Sequence, residues 1–401
     1  MRPILPPFPV ESNETPPGSA AFRGSEGLAI LAKLPPTRSH TREGIVSVKG
    51  LILSGGRGTR LRPITFTSAK QLVPVANKPI LFYGIEALAA SGIRDIGFVV
   101  GDTHQEIRDA VGDGSRFGIR ATYLQQEAPL GLAHAVLISE AFMAGDPFVM
   151  YLGDNVIRES LGPLVERFSR EAPNAQIFLA RVPNPQQFGV AELGSDDRIV
   201  RLVEKPVKPP SDLALVGVYM FDRSVFDAVK AITPSARGEL EITDAIQWLI
   251  DHGKTVRPFV ISGWWKDTGK LEDMLEANRI ILDAMERRID GEVVASEIVG
   301  KVTIESGAKV VDSTIRGPAI IGRGATIEQA YIGPFTSIGD GVVVRGSEIE
   351  HSIVLEGSSL TDIDARIESS LIGRNVTIYR SDAKPKSYKL MIGDRSDIGL
   401  I

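Results

Sequence analysis

The stretch Lys49–Val75, KGLILSGGRGTRLRPITFTSAKQLVPV, determines how the rest of the chain can be interpreted. The apolar run at its start ends at Ser54 and gives way to a glycine-rich loop, which is typical of a buried strand followed by a tight turn. Three glycines and four cations lie in or just after this loop: Gly55, Gly56 and Gly58, with Arg57, Arg60, Arg62 and Lys70. Glycine lets backbone N–H groups approach a phosphate, and guanidinium groups bind phosphate oxygens in pairs. The stretch therefore predicts a polyphosphate-binding loop.

A Gly-x-Gly by itself is equally well explained by a structural turn with solvated arginines. The spacing here is neither that of a P-loop nor that of the Rossmann GxGxxG motif. The longer string GGRGTRLRP, followed by SAKQLVPV, resembles the signature of the sugar-1-phosphate nucleotidyltransferases, and in particular the long form of the glucose-1-phosphate thymidylyltransferases. The resemblance implies that the nucleotide is bound by residues of this loop: Leu53, Gly55, Gly56, Gly58 and Thr59.

The composition is that of an ordinary globular protein, since 43% of the 401 residues are hydrophobic, 24% are charged and the net charge is −5. Nothing in this balance would recruit nucleic acid or an anionic membrane, so a polyanion would have to be bound locally. The absence of cysteine excludes disulfides, thiolate nucleophiles and thiolate metal sites, and it fits a cytoplasmic location. There is no signal-peptide pattern and no apolar run near the ~18 residues of a membrane span. We expect no membrane partner.

Residues 1–46 are rich in proline mixed with Ser, Thr and Glu, which predicts a disordered N-terminal extension. A functional tail or a targeting peptide is the alternative, although the Arg-rich, acid-poor pattern of transit peptides is missing. Members of the resembled family usually begin at the equivalent of Lys49, so an overlong start assignment is a further hypothesis.

Residues 47–288 alternate between strand-like and helix-like segments, which predicts an α/β catalytic domain with a mostly parallel, Rossmann-like sheet. The expected strands are Ile96–Val100, Ala121–Gln125, Phe148–Leu152, Phe188–Leu193, Ile199–Glu204, Leu215–Phe221 and Thr255–Ile261. The expected helices are Ile80–Ala90, Thr103–Val111, Leu130–Phe142 and Lys270–Arg288. Ligands of such sheets bind at the carboxyl ends of the strands.

Residues 289–401 contain a repeat of apolar positions. Ile304, Ile321 and Ile338 are separated by 17 residues (321 − 304 = 17), and Leu355 and Ile372 continue this series. Short strands that repeat in this way, each too small to fold alone, predict a stacked β-helix. It resembles the left-handed β-helix domain that follows the catalytic domain in the long form of the family.

The loop QEAPLGLAHA offers groups for a nucleobase, because Gln126 has both a donor and an acceptor and Gly131 allows a close backbone approach. A hydrogen-bonded surface glutamine is the simpler interpretation of this loop alone. In the resembled family, a Gln followed five positions later by Gly-Leu-Ala binds the pyrimidine edge, and both positions match here. Leu130, where the short form usually has Asp, is typical of the long form.

Two aspartates follow apolar strands. Asp154 ends YLGD and Asp267 lies in GWWKDTG, and a carboxylate in such a place suits a hard divalent cation that bridges to phosphates. An Asp that caps the turn after a strand is the structural alternative. The resemblance assigns both residues to a Mg²⁺ site.

The pair Glu204-Lys205 offers an acceptor for sugar hydroxyls and a cation for a sugar phosphate, although an exposed ion pair is the simpler interpretation. The family match at FGV and EKP implies that Gly189, Glu204 and Leu215 line the hexose and that Lys205 binds its phosphate. Arg237 could contact phosphate or cap the helix that follows.

The resemblance implies an in-line attack by the phosphate of glucose-1-phosphate on the α-phosphorus of dTTP, which yields dTDP-glucose and pyrophosphate. Transfer of this type depends on positioning and charge neutralisation, and an anionic nucleophile needs no general base. Arg60 would hold the β and γ phosphates, and Lys70 would neutralise the departing pyrophosphate.

Other functions stay open on the sequence. Thymine and uracil differ by one methyl group, so a UDP-sugar pyrophosphorylase acting on glucose-1-phosphate or N-acetylglucosamine-1-phosphate is the nearest alternative. Acetyltransferase activity on the β-helix would need a base, for which His351 is the available histidine. A regulator that keeps the fold should have lost the loop cations or the carboxylates, whereas a binding module would bind dTTP without turnover. A homo-oligomer is one of the assemblies that the sequence allows.

Overall fold

A computed structural model describes residues 48–56, 58–385 and 387–400 of the chain. The predictions made for residues 1–46, and the expected phosphate contact of Arg57, therefore lie outside the described residues. Among the helices that are described, none combines the length and the apolar character that a membrane crossing requires.

The first part of the chain alternates strands and helices, as expected. Its strands are β1 (Lys49–Ser54), β2 (Pro74–Val75), β3 (Lys78–Pro79), β4 (Asp95–Val100), β5 (Arg120–Gln125), β6 (Phe148–Leu152), β7 (Asn155–Ile157), β8 (Ala175–Arg181), β9 (Gly189–Leu193), β10 (Ile199–Glu204), β11 (Leu213–Phe221), β12 (Val256–Val260) and β13 (Trp265–Asp267). Its helices are α1 (Ile80–Ala90), α2 (His104–Val111), α3 (Leu132–Ile138), α4 (Glu140–Met143), α5 (Gly162–Glu171), α6 (Val225–Ala231), α7 (Ile242–Asp251) and α8 (Leu271–Ala284).

The central sheet has the order β10-β9-β11-β6-β1-β4-β5, and β8 and β12 extend it from β11. Strand β1 pairs in parallel with both β4 and β6, and β4 pairs in parallel with β5, which confirms the predicted Rossmann-like arrangement. Strands β9 to β11 add an antiparallel extension beside β6. The carboxyl ends of β1, β4, β5 and β6 therefore lie along one edge, where the candidate loops begin.

The strand β1 is covered on both faces. Leu51 and Leu53 pack into one hydrophobic cluster with helices α3, α6 and α7. Ile52 points to the other face and packs with α1, α2 and α5. Because successive side chains of a strand alternate between faces, an unbroken apolar run of this kind is what a strand covered by helices on both sides requires.

The expected helix Leu130–Phe142 is wrong in detail, because the chain breaks at Ser139 into α3 and α4. The buried Ser139 hydroxyl donates to the carbonyl of Val136 at 2.7 Å. A serine that competes in this way for a backbone carbonyl weakens the helical hydrogen-bond pattern, which accounts for the break.

The second part of the chain is a left-handed parallel β-helix with three sheets, as predicted. One sheet contains β14 (Arg288–Ile289), β17 (Val302–Ile304), β20 (Ala319–Ile321), β23 (Thr336–Ile338), β26 (Ile353–Val354) and β29 (Leu371–Ile372). The second contains β15 (Glu292–Val294), β18 (Lys309–Val311), β21 (Thr326–Glu328), β24 (Val343–Arg345), β27 (Ser359–Thr361) and β30 (Thr377–Tyr379). The third contains β16 (Glu297–Val299), β19 (Thr314–Arg316), β22 (Tyr331–Ile332), β25 (Glu348–Glu350) and β28 (Ile367–Glu368).

One member of the predicted repeat is wrong. Ile338 is paired with Val354, and Val354 with Ile372, so Val354 takes the place expected for Leu355. The Leu355 side chain instead packs outside the coil, in a cluster with Leu61 and Met274. A repeat of apolar residues cannot reveal this slip, because adjacent apolar residues satisfy the pattern equally well.

Helix α8 joins the two parts of the chain. Its fully buried Asn278 accepts hydrogen bonds from the Ala76 amide at 2.8 Å and from the Ser337 hydroxyl at 2.6 Å, and it donates to the carbonyl of Phe335 at 3.0 Å. The side chain of one helix residue therefore bonds both the loop after β2 and a coil of the β-helix. The boundary between residues 288 and 289 stays a prediction.

Candidate active site

The loop after β1 is folded back onto Lys70. Gly58 has φ +62°, and a Cβ atom on it would lie 2.8 Å from the Cβ of Lys70, so this turn admits only glycine. The Thr65 hydroxyl donates to the carbonyl of Gly58 at 2.6 Å and fixes the turn. Thr59 and Arg60 follow in a short 3₁₀ turn, Thr59–Leu61. The sequence-predicted cations thus lie in a loop whose shape is set by close packing.

A two-stranded ribbon brings the two candidate aspartates together. Strand β13 pairs antiparallel with β7, which places Asp267 opposite Asn155, the neighbour of Asp154. The next residue, Thr268, donates both its backbone N–H, at 3.1 Å, and its hydroxyl, at 2.7 Å, to the carbonyl of Asp154. Residues more than a hundred positions apart in sequence are therefore held side by side by backbone pairing.

The ammonium group of Lys70 lies between these carboxylates. It forms an ion pair and a hydrogen bond with Asp154 Oδ2, and its Nζ lies 3.8 Å from Asp267 Oδ1. Asn155 donates its side-chain amide to the other oxygen of Asp154 at 2.8 Å. On the opposite side, a Cβ atom on Gly269 would lie 3.0 Å from a terminal nitrogen of Arg60, so Arg60 lies against the loop that carries Asp267.

The electrostatics of the two aspartates differ. Burial opposes ionisation of Asp154, but the adjacent Lys70 and the hydrogen bond from Asn155 outweigh it and keep the pKa of Asp154 below its ordinary value. Burial and the charge of Asp154 raise the pKa of Asp267 to about 6, although Lys70 and Arg60 act in the opposite direction. Burial lowers the pKa of Lys70, and the two aspartates more than compensate, so the pKa of Lys70 is raised and its ammonium group stays charged at neutral pH.

This charge arrangement suits a divalent cation. A single ammonium group faces two half-buried carboxylates, so one negative charge is left without a partner between them. Burial and the charge of Asp154 together raise the pKa of Asp267. Within the described residues, there is no cluster of three or more acidic or histidine ligands that could hold a metal without help. An ion with two protein carboxylates would complete its oxygen shell from phosphates and water, as Mg²⁺ does in phosphate-transfer sites.

Gln126 and Gly131 lie together beside the glycine loop. The Gln126 Oε1 is 3.3 Å from the position that a Cβ on Gly55 would take, and its Nε2 donates to the carbonyl of Gly131 at 3.2 Å and lies 3.1 Å from His134 Nδ1. Gly131 has φ +101°, and a Cβ on it would lie 2.4 Å from the carbonyl oxygen of Leu240. The backbone before α7 thus presses against this loop and requires glycine there.

A pocket of about 330 Å³ opens beside the loop and is lined by Gly55, Gly56, Arg62, Asp102 and Thr103. Two polar atoms near it are buried without a hydrogen-bond partner in the part of the chain that is described: Arg62 Nε and Gln71 Oε1. The Gln71 amide nitrogen lies 3.6 Å from the Cβ position of Gly56. Sequence reasoning missed Gln71, although its place directly after Lys70 in SAKQ was a usable signal.

The sugar-binding candidates converge around Gly189. A Cβ atom on Gly189 would lie 3.1 Å from Glu204 Oε2 and 3.7 Å from a methyl group of Leu215. Glu204 accepts from the Thr243 hydroxyl at 3.3 Å, and Lys205 Nζ lies 3.5 Å from its other oxygen. Burial raises the pKa of Glu204, and Glu241 adds to the effect. A Cβ on Gly189 would also lie 2.6 Å from the methyl carbon of Thr243, so this position fits only glycine beside the Glu204 carboxyl group.

Arg237 neither caps α7 nor points into free space. Its guanidinium group donates to both oxygens of Glu241 at 2.8 Å and to Glu204 at 3.2 Å. It therefore holds the sugar-site carboxylate in place.

Side-chain packing connects the sugar-binding candidates with the pair Asp154 and Asp267. The Trp265 ring lies edge-on to Phe188 at 5.2 Å, and its indole N–H donates to Asn155 Oδ1 at 2.5 Å. A Cβ on Gly217 would lie 2.5 Å from the same Asn155 oxygen. Trp265 therefore packs between the sugar-binding candidates and the aspartate pair.

The β-helix histidine packs against an aromatic side chain. His351 lies at a coil corner with φ +46°, its ring packs edge-on against Phe335 at 6.1 Å, and its Nε2 is buried without a hydrogen-bond partner.

Comparisons with known proteins identify the family of the chain. The family model "Nucleotidyl transferase" matches residues 49–284. The chain is 55% identical over 350 residues to a glucose-1-phosphate thymidylyltransferase of Streptomyces griseus, a match that covers 87% of this chain and 98% of that protein. It is also 55% identical over 353 residues to the thymidylyltransferase of Streptomyces antibioticus, covering 88% of this chain and 99% of that protein.

A solved structure from Bacillus anthracis, assigned as a glucose-1-phosphate thymidylyltransferase and crystallised with sucrose, matches with a TM-score of 0.55 at 37% identity. The match covers 58% of this chain and 94% of that one. The chain belongs to the nucleotidyl transferase family and, within it, to the glucose-1-phosphate thymidylyltransferases.

Proposed function

We propose that this chain joins dTTP and glucose-1-phosphate to form dTDP-glucose and pyrophosphate. The observation that carries the proposal is the convergence of Asp154, Asp267, Lys70 and Arg60 beside the glycine loop, in a chain of this family. An oxygen of the sugar phosphate attacks the α-phosphorus, and the bond from that phosphorus to the oxygen bridging to the β-phosphorus breaks. The electron pair leaves with the pyrophosphate.

The cations of the loop neutralise the triphosphate in this proposal. Arg60 binds the β and γ phosphates, and Lys70 neutralises the departing pyrophosphate because its raised pKa keeps it charged. Nucleotidyltransferases of this family generally use a divalent metal. We assign it as Mg²⁺ held by Asp154 and Asp267, where it would offset negative charge on the phosphates during transfer.

The glycine loop and Gln126 hold the nucleotide. Backbone groups of the loop lie along the triphosphate and the nucleoside, and they belong to Leu53, Gly55, Gly56, Gly58 and Thr59. The side-chain amide of Gln126 donates to the carbonyl of Gly131. The same amide group offers a donor and an acceptor to the pyrimidine edge.

Gly189, Glu204 and Leu215 receive the hexose, and Lys205 binds its phosphate. Glu204 accepts hydrogen bonds from the hydroxyls of glucose, while Arg237 keeps the carboxyl group oriented. The sugar phosphate is an anion at neutral pH, so the attack needs positioning rather than a base. A cytoplasmic location and assembly into a homo-oligomer stay predictions.

The test is an assay of pyrophosphate release with Mg²⁺, each of the five common nucleoside triphosphates and a panel of sugar-1-phosphates. We expect the highest rate with dTTP and glucose-1-phosphate, and no rate when the sugar phosphate is omitted. UTP is the decisive comparison, because the one methyl group that distinguishes thymine from uracil changes the rate only about 10- to 200-fold in a hydrophobic pocket. A higher rate with UTP than with dTTP would instead assign the chain to UDP-sugar synthesis.

A further inference from the structure

The back of the triphosphate loop rests on the β-helix. Leu61 and Ile64, which lie between Arg60 and Lys70, belong to a hydrophobic cluster with Ile353, Leu355 and Leu371 of the β-helix. The cluster explains why Leu355 is turned out of its coil. It also means that the loop gains part of its packing from the C-terminal part of the chain.

A salt-bridged arginine fixes the end of the loop nearest Lys70. Arg374 donates to the hydroxyl of Ser68 at 3.1 Å, and its Nε lies 2.7 Å from Glu356, which orients the guanidinium group. Ser68 is buried and lies two residues before Lys70. Next to Arg374, a Cβ on Gly373 would lie 3.3 Å from the Cδ1 of Ile64, so the coil and the loop are in close contact.

The beginning of the loop is held from the same side. Arg395 donates to the carbonyl of Thr59 at 3.2 Å. Arg395 has φ +62° in a turn closed by a hydrogen bond from the Ser396 amide to the Gly393 carbonyl, 3.4 Å. Arg374 and Arg395 lie about a hundred residues after the catalytic domain. They nevertheless form hydrogen bonds at both ends of the segment between Thr59 and Ser68.

The loop has little internal support. Its backbone bonds are short-range turns, such as Leu61 to Gly58 at 2.9 Å and Phe66 to Pro63 at 3.1 Å. From the other side, Glu106 of α2 accepts from the Ala69 amide at 2.6 Å. A loop of this kind holds phosphate-binding groups in one geometry only when neighbouring elements fix it, because ordering it during binding would cost affinity.

We propose that Arg374, assisted by Arg395, is a positioning residue that fixes the triphosphate loop, so that the β-helix takes part in nucleotide binding. It touches no substrate and acts through Ser68 and the loop. This inference rests on the proposed function for its kinetic readout. It predicts that weakening the contact raises the KM for dTTP and leaves the KM for glucose-1-phosphate unchanged, because Glu204 and Gly189 lie on other elements.

The experiment compares Arg374→Ala and Arg374→Lys with Arg366→Ala in the full-length protein. Arg366 is a matched control because it is also a β-helix arginine in a salt bridge, with Glu348 at 2.9 Å, but none of its hydrogen bonds reaches the loop. We expect Arg374→Ala to raise the KM for dTTP about two- to tenfold, the range that loss of one hydrogen bond allows. Arg374→Lys should restore part of the loss, and Arg366→Ala should leave both KM values unchanged.

Amide hydrogen exchange separates this inference from the proposed function, because it needs no turnover. In Arg374→Ala, amides of residues 59–70 should exchange faster than in the unaltered protein, while amides of the central sheet keep their protection. Exchange and dTTP KM values equal to those of Arg366→Ala would overturn the inference. A protein without pyrophosphate release but with faster exchange in Arg374→Ala would retain the inference about the loop and contradict the proposed reaction.

Discussion

Lys70 has two roles at the residue scale, since it pairs with two half-buried carboxylates and, in our proposal, neutralises the departing pyrophosphate. Its ammonium group is almost fully buried and lies against Asp154 and Asp267. The sequence did not predict that Lys70 lies between the two aspartates. From the sequence, we assigned Lys70 to the phosphate loop and the aspartates to a separate metal site. Chain order alone contains no information on which charges become neighbours across a folded sheet.

Replacement of Lys70 by alanine should lower kcat by at least about 100-fold, because a preorganised charge at a developing anion is lost. The measurement is pyrophosphate release at saturating substrates, together with a thermal melt to verify folding. Lys78→Ala is the control, because Lys78 is an exposed lysine paired with Glu86 at 2.8 Å. A kcat near that of the control would refute the role of Lys70.

The pKa of Asp267 predicts a pH dependence of stability for the protein in EDTA. Its pKa is raised from 3.8 to about 6, so the folded state binds more protons than the unfolded state between these values. Stability should therefore fall as the pH rises from about 4 to about 6, and the loss should be complete above this window. Asp154, with a lowered pKa, titrates below this window.

The check is the melting temperature in EDTA across this pH range, compared with Asp267→Asn. The substitution should flatten the slope, because the amide cannot ionise. An equal slope in both proteins would show that another group is responsible.

At the scale of elements, the two short strands β7 and β13 decide whether the aspartates meet. Neither was predicted from the sequence, because three-residue strands give too short a period to recognise. The sequence placed Asp154 and Asp267 after apolar strands, but only the resemblance to the family assigned both to one metal site. The backbone pairing of Asp267 with Asn155 supplies the detail that the sequence lacked.

The variant Gly217→Ala tests whether the position of Asn155 supports the ribbon formed by β7 and β13. A Cβ in Gly217→Ala would lie 2.5 Å from Asn155 Oδ1, so Asn155 would have to move away from Asp154 and Trp265. We expect destabilisation by about 1–3 kcal/mol, as for overpacked cores, with loss of activity. Denaturant titration and the pyrophosphate assay measure these effects.

The control for Gly217→Ala is Gly162→Ala, because a Cβ on Gly162 would meet no atom within 4 Å. If Gly217→Ala behaved like this control in both measurements, the ribbon would not depend on the fit of Asn155.

At the scale of the whole molecule, the repeat in the C-terminal part predicted a β-helix because its period was visible directly in the apolar residues. The exception at Leu355 is explained by the other part of the chain, since this residue packs against Leu61 near the phosphate loop. Contacts between distant parts of a chain cannot be read from local periodicity, which is why both Leu355 and the role of Arg374 were missed.

Asn278 links the two parts of the molecule. Its replacement by alanine would leave the Ala76 amide and the Ser337 hydroxyl without their buried acceptor, at a cost of about 1–3 kcal/mol for each unsatisfied group. We expect a lower free energy of unfolding in denaturant titration. Ser337→Ala alone should cost less, and the double variant should show a non-additive total because the two side chains share one hydrogen bond. Additive losses would indicate that the two residues act independently.

The most direct test of the account is a crystal structure of the chain with dTTP and Mn²⁺, in which the anomalous signal of manganese locates the ion. The account predicts one manganese peak within coordination distance, about 2.0–2.4 Å, of carboxylate oxygens from both Asp154 and Asp267, with the triphosphate along the glycine loop at Arg60. A triphosphate bound elsewhere, or a manganese ion that touches neither aspartate, would contradict it.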